Sequence, residues 1–356
     1  MHKKAKQILK DANVDAVVLK TSPSCVDPGF FYFSGILPGV LNNNAILLSA
    51  RKKPLLLRTV LDTKINVEGL RIKTVKRRKQ VEETLNKELS GKRIGINEQR
   101  YTVDSLKRLK KSLPGKRFVD ISKYLSQARE IKEPWEISRI SKAAKITEKA
   151  LNELSQIFKK GITERQLALK LEFLLRERSK DDVAFSPIVA NARNSSFPHH
   201  FPSERKIKKG VVLVDCGAKV KGYCADLTRM FSVGKPSKKE SALYETVVEA
   251  KRRGQELSVE GAIPCNVFKQ VSDFLKRNAG QALIHGLGHG LGMETHDSPP
   301  GFLRDIKQPL KAGMVLTVEP AVYGKGFGVR IEDDIVVGKR KCKALSTAPK
   351  QLIPLR

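Results

Sequence analysis

The sequence predicts an α+β protein in which a smaller α/β domain precedes a larger C-terminal domain. Two patterns lead to this prediction. In the first 125 residues, short β-branched and aromatic runs alternate with helical segments, as they do in α/β domains. From residue 135 onward, two helices and a strand pair are followed by two more helices and a second strand pair, which indicates an α+β pseudo-repeat. A chain of 356 residues with 40% apolar content can bury two cores.

The N-terminal domain is predicted over residues 1–125. The polar segment that follows, residues 126–134, is the best candidate for a linker, and the second domain is predicted over residues 135–356. Within the first domain, helices are predicted over residues 2–12 and 104–112, and strands over residues 15–19, 30–33, 45–48, 54–60 and 93–96.

Four helices are predicted in the second domain, three of them from explicit start signals. Pro134 lies in the first turn of the first helix, where proline is favoured. The capping-box patterns Thr163-x-x-Gln166 and Ser237-x-x-Glu240 mark the starts of two others. The four helices are predicted over residues 134–159, 163–179, 237–255 and 264–278.

Four acidic residues and one histidine stand in sequence surroundings that are unusual for such side chains. Each acid is flanked by apolar, β-branched residues typical of buried strands, and the histidine lies in the run His-Gly-Leu-Gly-His-Gly-Leu-Gly. A buried carboxylate is costly unless it is paired or binds a metal. The five candidate ligands are Asp215, Asp226, His289, Glu319 and Glu332.

The spacing of the acids indicates two hairpins, each presenting two carboxylates on one face. Asp215 and Asp226 are 11 residues apart, with a turn signal at residues 219–222 between them. Glu319 and Glu332 are 13 residues apart, with a Gly-rich stretch midway. Odd spacing about a tight turn places two residues roughly opposite each other, or one step away if a glycine forms a bulge.

Such a cluster of carboxylates favours bound cations. The negative charges repel, so some of the carboxylates would have to stay protonated without a cation. Oxygen-rich ligands with a single imidazole suit Mn²⁺, Fe²⁺, Co²⁺ or Zn²⁺, and two bridging carboxylates suit a pair of ions. The alternative is that each of the five is a separate surface residue, which would require five unrelated coincidences of sequence context.

These five residues and their surroundings resemble the pita-bread metallopeptidases, the family of methionine aminopeptidase, aminopeptidase P and Xaa-Pro dipeptidase (prolidase). The resemblance is close over residues 130–350. It implies a curved antiparallel sheet backed by helices, with two divalent ions on the concave face. All five candidates would be metal ligands, and Asp226 and Glu332 would bridge the two ions. Mn²⁺ or Co²⁺ is the expected metal, with Fe²⁺ or Zn²⁺ as alternatives.

The resemblance also assigns roles to three histidines. His199, in Asn-Ser-Ser-Phe-Pro-His, would face the substrate, and His285 would line the pocket after the scissile bond. His296 would contact the scissile peptide. His200 is interpreted as a surface or satisfied core residue, which is the usual situation of a histidine outside a motif.

Two arginines are candidates for contacts with the substrate. Arg330 matches a family arginine near the site, but an ion pair with Glu332 or Asp334 is an equally good interpretation. Arg304 could supply the positive charge that a free C-terminal proline requires.

The resemblance implies a hydrolytic mechanism that uses a hydroxide bridging the two ions. That hydroxide would attack the carbonyl before the scissile nitrogen, while a metal and His296 would stabilise the oxyanion. Glu319 would relay the proton to the leaving nitrogen, and His199 would orient the substrate or bind its C-terminal carboxylate.

Within the family, the N-terminal domain and the stretch Gly-Met-Glu-Thr-His-Asp-Ser-Pro favour a proline-specific enzyme over methionine aminopeptidase. An Xaa-Pro dipeptidase is preferred, and an aminopeptidase P acting on longer peptides is the alternative. Residues 189–193 and 300–304 differ from the sequences that are usual in the family at these places. Both segments are expected to border the pocket, so they influence which length of substrate fits.

The cysteines, the apolar runs and the net charge indicate the cellular compartment of the protein and its possible binding partners. Five scattered cysteines without metal-ligand spacing favour a reducing cytoplasm, and no apolar run reaches the length of a membrane span. The net charge of +31 predicts non-specific attraction to nucleic acid, and the resemblance implies a homodimer. A pita-bread protein that binds RNA or ribosomes without catalysis is disfavoured, because such relatives lose metal ligands.

Overall fold

The structure, a computed structural model, describes residues 2–21, 26–36, 44–62, 66–346 and 351–355, without the side chains of His2 and Arg78. The chain forms two compact units, Met1–Ala128 and Arg129–Arg356. The division falls inside the segment predicted as a linker, and residues 126–130 of that segment are helical. None of the helices in the described ranges combines the length and the apolar character that crossing a membrane requires.

The first unit is built on a six-stranded sheet. Its strands are β1 (Ala16–Lys20), β2 (Ala45–Ser49), β3 (Leu55–Thr59), β4 (Arg71–Val75), β5 (Arg93–Ile96) and β6 (Arg117–Asp120). The strand order is β4-β3-β2-β1-β5-β6. Neighbouring strands are antiparallel in the pairs β1–β2 and β2–β3 and parallel in the other three pairs. The helices are α1 (His2–Asp11), α2 (Pro28–Ser34), α3 (Arg78–Glu88), α4 (Val103–Ser112) and α5 (Ser122–Glu130).

The prediction of an α/β domain is confirmed, but the strand predicted over residues 30–33 is wrong. This apolar run is the buried helix α2. The Asp27 side chain accepts a hydrogen bond from the Gly29 backbone N–H at 2.8 Å, and Pro28 occupies the first turn. Gly35 ends the helix in the left-handed conformation with φ 69°. A fully buried short helix and a buried strand both read as continuous apolar runs, so periodicity alone did not separate them.

The second unit repeats one arrangement twice, with helices that precede a strand hairpin. The predicted helix over residues 134–159 is interrupted at Glu153, and the other three predicted helices are confirmed, with both capping boxes formed. The helices are α6 (Pro134–Asn152), α7 (Leu154–Ile157), α8 (Glu164–Ser179), α9 (Lys238–Leu257) and α10 (Pro264–Ala279).

The first strands of this unit are β7 (Ile188–Asn191), β8 (Gly210–Cys216), β9 (Lys219–Val220), β10 (Tyr223–Cys224) and β11 (Leu227–Val233). The later strands are β12 (Val315–Val318), β13 (Ala321–Tyr323), β14 (Gly328–Arg330), β15 (Asp333–Val336), β16 (Lys343–Ala344) and β17 (Ile353–Leu355). In the described part of the unit they form a four-stranded sheet in the order β17-β11-β8-β7, a three-stranded sheet in the order β12-β15-β16 and two short hairpin ladders.

Apolar packing fixes which face of these strands is left for polar side chains. Leu151 of α6 and Leu167 of α8 belong to the same buried cluster as Val214 of β8. A second cluster joins Val247 of α9 to the later strands. Successive side chains of a strand point to opposite faces, so Asp215 lies on the face of β8 opposite to Val214 and its helical cover.

Candidate active site

The first hairpin places its two aspartates diagonally. In the ladder between β8 and β11, Asp215 pairs with Thr228 and Cys216 with Leu227. The same register continues through the turn at residues 221–222, so Asp226 stands two positions away from direct opposition to Asp215. The expectation that the two aspartates lie opposite each other is therefore corrected. They still share one face, because the displacement is an even number of residues.

The second hairpin has the predicted register. The ladders β12–β15 and β13–β14 keep a single register, which places Glu319 directly opposite Glu332. Neither glutamate belongs to a strand, because both stand in the short break between the two ladders. The Glu332 backbone N–H donates to the Thr228 carbonyl at 3.2 Å and joins this hairpin to the first one.

His289 comes from the loop between α10 and β12, and glycines allow it to approach the second hairpin. Its backbone N–H donates to Thr317 Oγ1 at 3.1 Å, and the Thr317 N–H donates to its carbonyl at 2.8 Å. A Cβ at Gly288 would overlap the Thr317 carbonyl oxygen, and one at Gly290 would overlap the Pro299 carbonyl oxygen. Close backbone packing therefore requires glycine at the positions on either side of His289.

These elements bring the five predicted ligands together. Ligand atoms of Asp226, His289 and Glu332 all lie within 4.8 Å of one another. His289 Nε2 is 3.6 Å from Asp226 Oδ2 and 3.6 Å from Glu319 Oε1. Asp215 Oδ2 accepts a hydrogen bond from Arg330 Nη2 at 2.6 Å. Asp226, His289, Glu332 and Glu319 thus lie around one centre, and Asp215 lines the same cavity.

The cluster carries an excess of negative charge, which the nearby Arg330 offsets only in part. Burial and the neighbouring carboxylates raise the pKa of Asp226 and of Glu332 well above the ordinary range. Burial raises the pKa of Glu319 to about 7, against the opposing effect of Arg330. Burial and the nearby His296 lower the pKa of His289 to about 4, so its imidazole is neutral and able to bind a metal near pH 7.

The donor set fits divalent cations. Asp215 Oδ1 and Asp226 Oδ1 are buried and have no hydrogen-bond partner among the described residues. Such orphaned oxygens are costly unless something positive binds them. Hard carboxylate oxygens with one imidazole nitrogen are suitable ligands for Mn²⁺, Co²⁺, Fe²⁺ or Zn²⁺.

The histidines and the arginine assigned to the substrate line the same cavity as the ligands. The cavity has a volume of about 450 Å³. Apolar side chains, among them Phe185, Ile188 and Leu303, form part of its wall. All nine predicted site residues line it: His199, Asp215, Asp226, His285, His289, His296, Glu319, Arg330 and Glu332.

The His296 ring stacks on the metal-ligand candidate His289, with 3.9 Å between centroids and 11° between planes. Burial and His199 lower the pKa of His296, so it carries a neutral imidazole at the metal cluster. A neutral imidazole can donate an N–H without bringing a second positive charge to the cations.

Arg330 is the centre of a hydrogen-bonded chain that the sequence did not reveal. Its Nη1 donates to the Tyr323 hydroxyl at 2.8 Å and to the Pro198 carbonyl at 3.1 Å. The Tyr323 hydroxyl also lies 3.1 Å from His285 Nε2. The observed carboxylate partner of Arg330 is therefore Asp215, and the two acids considered from the sequence are not its hydrogen-bond partners in the described structure.

The structure also places two other residues that the sequence analysis considered, Arg304 and His200. Arg304 Nη2 donates to the Leu283 carbonyl at 3.2 Å, and the guanidinium lies over the Phe268 ring, so a carboxylate-binding role for Arg304 has no support here. His200 Nε2 is 2.9 Å from Glu164 Oε2, which agrees with its interpretation as a satisfied histidine.

Metal binding is expected to release protons between about pH 4.5 and pH 7. In this pH range Glu319 is protonated in the metal-free folded protein, where its pKa is about 7, but ionised in the unfolded chain, where its pKa is 4.5. The stability of the metal-free folded protein therefore falls as the pH rises through this range. A ligand carboxylate must be deprotonated, so each binding event displaces that proton and the affinity for Mn²⁺ rises with pH. Calorimetric titration at pH 6 in two buffers of different ionisation enthalpy counts the released protons. Glu319→Gln is expected to reduce the count, and zero release by the unchanged protein would contradict the arrangement.

Comparison with known proteins agrees with this geometry. Residues 138–339 match metallopeptidase family M24, and residues 1–131 match the creatinase/prolidase N-terminal domain. The fold and the site thus define a metallopeptidase with an additional N-terminal domain. The chain belongs to metallopeptidase family M24.

Relatives extend along the whole chain. The Xaa-Pro dipeptidase of Pyrococcus horikoshii is 33% identical over 365 residues, which covers 99% of each chain. The crystal structure of an X-Pro aminopeptidase from Thermotoga maritima has a TM-score of 0.88 at 30% identity and covers 98% of this chain and 99% of that one. An Xaa-Pro dipeptidase structure from Bacillus anthracis has a TM-score of 0.89 at 28% identity and covers 99% of each chain. The prediction of a pita-bread fold behind an α/β domain is confirmed.

Proposed function

We propose that this chain is an Xaa-Pro dipeptidase, which hydrolyses the bond before proline in dipeptides. The supporting observation is the single cavity in which the five candidate ligands meet His199, His285, His296 and Arg330. Its volume of about 450 Å³ is in the lower part of the range of small-ligand sites, which suits a dipeptide. The dipeptidase from Pyrococcus horikoshii, similar over its whole length, supports the same choice.

Two divalent ions, Mn²⁺ or Co²⁺, are the proposed cofactors. Asp226, His289 and Glu332 form the tightest group of ligand atoms, and Asp215 and Glu319 complete the set. When bound, the ions lower the pKa of water and polarise the scissile carbonyl, which is the chemistry that peptide hydrolysis requires.

The chain's own residues would move the protons. Glu319 would accept the proton of the attacking water and pass it to the nitrogen of the leaving proline. The nitrogen of an Xaa-Pro bond is a tertiary amide and leaves only when it is protonated. Glu319 is suited to this role by its place, because it lines the cavity and its Oε1 lies 3.6 Å from His289 Nε2 in the ligand group.

The remaining cavity residues would hold the substrate. His296, stacked on His289, would donate an N–H to the developing oxyanion. His199 would bind the free carboxylate of the dipeptide. Tyr323 links His285 to Arg330 and thereby fixes the orientation of both side chains.

An aminopeptidase P is the second candidate, because the similarity to the X-Pro aminopeptidase of Thermotoga maritima is equally extensive. A dipeptide carries its carboxylate into the site, whereas a tripeptide replaces that carboxylate by an amide and loses an ion pair. We therefore expect rapid cleavage of Met-Pro, weak cleavage of Met-Pro-Gly and little of Met-Gly by the protein loaded with Mn²⁺ or Co²⁺. Faster cleavage of the tripeptide would establish the aminopeptidase instead, and no cleavage of either proline substrate would refute both.

We further infer a homodimer in the cytoplasm, with only non-specific contacts to nucleic acid. The four cysteines that the structure describes are free, which suits a reducing compartment. The net charge of +31 supports the non-specific attraction to polyanions. Light scattering on the purified protein tests the dimer.

A further inference from the structure

A buried glutamate outside the metal cluster organises the segment that carries His199. Glu164 is the first residue of α8, and only 1% of its surface is exposed. Its Oε1 accepts hydrogen bonds from the Asn191 backbone N–H at 2.8 Å and from Asn194 Nδ2 at 2.9 Å. Its Oε2 interacts with His200 Nε2 at 2.9 Å and accepts from Ser203 Oγ at 2.6 Å. All of these partners lie in residues 191–203.

The helix dipole, the usual reason for an acidic residue at the start of a helix, does not account for the surroundings of Glu164. An exposed glutamate in the first turn is favoured by the helix dipole and needs no other partner. Glu164 is buried, and burial alone would raise its pKa. The hydrogen bonds that it accepts from Asn191, Ser203, His200 and Asn194 outweigh burial and lower the pKa, so the carboxylate stays ionised.

The segment that Glu164 holds has little apolar packing of its own. The Phe197 and Phe201 side chains, on either side of the two histidines, are 56% and 78% exposed. His199 is exposed, lines the cavity and makes no side-chain hydrogen bond within the described part of the chain. Its position is therefore determined by the backbone on both sides of it.

Asn191 lies in the β7–β8 ladder, and the Arg165 N–H donates to the Ser203 carbonyl at 3.0 Å. Contacts that involve side chains fix the backbone between them on two sides. On the cavity side, Arg330 Nη1 donates to the Pro198 carbonyl at 3.1 Å, and the Gly328 N–H donates to Ser195 Oγ at 2.9 Å. On the opposite side, Glu164 ties the beginning of the segment to its end through Asn191, Asn194, His200 and Ser203.

We propose that Glu164 is a positioning residue for substrate binding, which holds the segment of residues 191–203 so that His199 meets the substrate. It acts through His200 and the backbone and does not itself touch the substrate. This proposal rests on the proposed function only for the identity of the peptide. The same geometry would serve any substrate that His199 contacts.

The test is Glu164→Gln, which keeps the shape of the side chain and replaces one acceptor oxygen by an NH₂ donor. Both oxygens of Glu164 face donors, so the variant must break at least one of the contacts. We expect KM to rise by about 10-fold or more, because a small misplacement of a positioning group has large kinetic effects. The kcat should change by less than about 2-fold, because uniform substrate binding is what is lost. Bound Mn²⁺ should stay unchanged.

Gln166→Ala is the matched control. The Gln166 side chain accepts a hydrogen bond from the Thr163 backbone N–H in the same helix start, and it makes no hydrogen bond to residues 191–203 in the described structure. It should lower thermal stability and leave KM unchanged. If it raises KM as much as Glu164→Gln does, general loosening of α8 explains the effect and the proposal is wrong.

A double-mutant cycle with His199→Ala separates positioning from a merely structural role. If Glu164 acts through His199, Glu164→Gln should have less than about 2-fold effect on KM once His199 is alanine. Additive effects on KM would overturn the proposal. The cycle uses whichever of Met-Pro, Met-Pro-Gly or Met-Gly the unchanged protein cleaves, so a wrong substrate class does not affect its outcome.

A substrate-independent measurement completes the test. Trypsin can cut after Arg193, near the beginning of the segment, and after Arg205, two residues beyond its end. In Glu164→Gln these cuts should become about 10-fold faster in the native protein, because local opening is easier when the polar contacts are lost. An unchanged rate would show that Glu164 does not hold the segment.

Discussion

Replacement of Glu332 by glutamine is expected to lower kcat/KM by about 10³-fold or more, since the ions contribute several kcal/mol of transition-state stabilisation. The substitution keeps the size of the side chain and removes its charge from the centre of the ligand group. Thr228 Oγ1, which donates to Glu332 Oε2 at 2.7 Å, can still donate to the amide oxygen. Asp226→Asn should have the same effect, because Asp226 stands beside Glu332 in the cluster.

The measurement combines rate, metal content and thermal unfolding. The metal-free Glu332→Gln variant should unfold at the same temperature as the metal-free unchanged protein at pH 7, or higher, because one of the mutually repelling carboxylates is gone. Stabilisation by added Mn²⁺ should shrink. Asp273→Asn, on the exposed face of α10, is a charge-matched control without expected effect on rate. Near-normal hydrolysis by either bridging variant, with metal supplied, would contradict the two-ion site.

Replacement of His296 by alanine is expected to lower kcat by about 10²-fold, the magnitude of one lost oxyanion donor. The metal content should not change, because the predicted ligand set does not include His296. The His296 ring also stacks on His289, so alanine removes packing as well as a donor.

His296→Phe separates these two effects. Phenylalanine can keep the stacked ring against His289 but has no N–H. If the hydrogen bond matters, both variants lose activity to a similar degree. If phenylalanine restores the rate, the role of His296 is to hold the His289 ring. Loss of metal from either variant would show that His296 acts as a ligand and would require a different assignment.

The sequence identified the hairpins of the site because strand periodicity and turn residues are local properties. The Gly-rich loop midway between Glu319 and Glu332 made their opposition predictable. For the first hairpin the same reasoning predicts Asp226 opposite Asp215, whereas the two residues are displaced by two positions along the ladder. There the two-residue turn at Lys221 and Gly222, both with positive φ, lies one position later than the midpoint of the two aspartates. Turn position determines register, and the sequence offered more than one place for the turn.

Side-chain partners across the fold were not predictable in this way. Tyr323 meets Arg330 and His285, and Glu164 meets residues 191–203, only because distant segments are packed together. In the sequence, Glu164 follows the cap residue of a helix, which is an ordinary surface position for an acid. A single sequence contains no signal that distinguishes such a buried glutamate from an exposed one.

The glycines around His289 bear on how active members of such a family are recognised. Gly288, Gly290 and Gly301 have no functional group, yet a methyl at any of them would overlap backbone atoms of the segments that hold this histidine. A related chain could keep all five ligands and still be inactive after one exchange of glycine for alanine here. The presence of glycine at these three positions is therefore a stricter criterion for catalytic competence in a related chain than the presence of the five ligands alone.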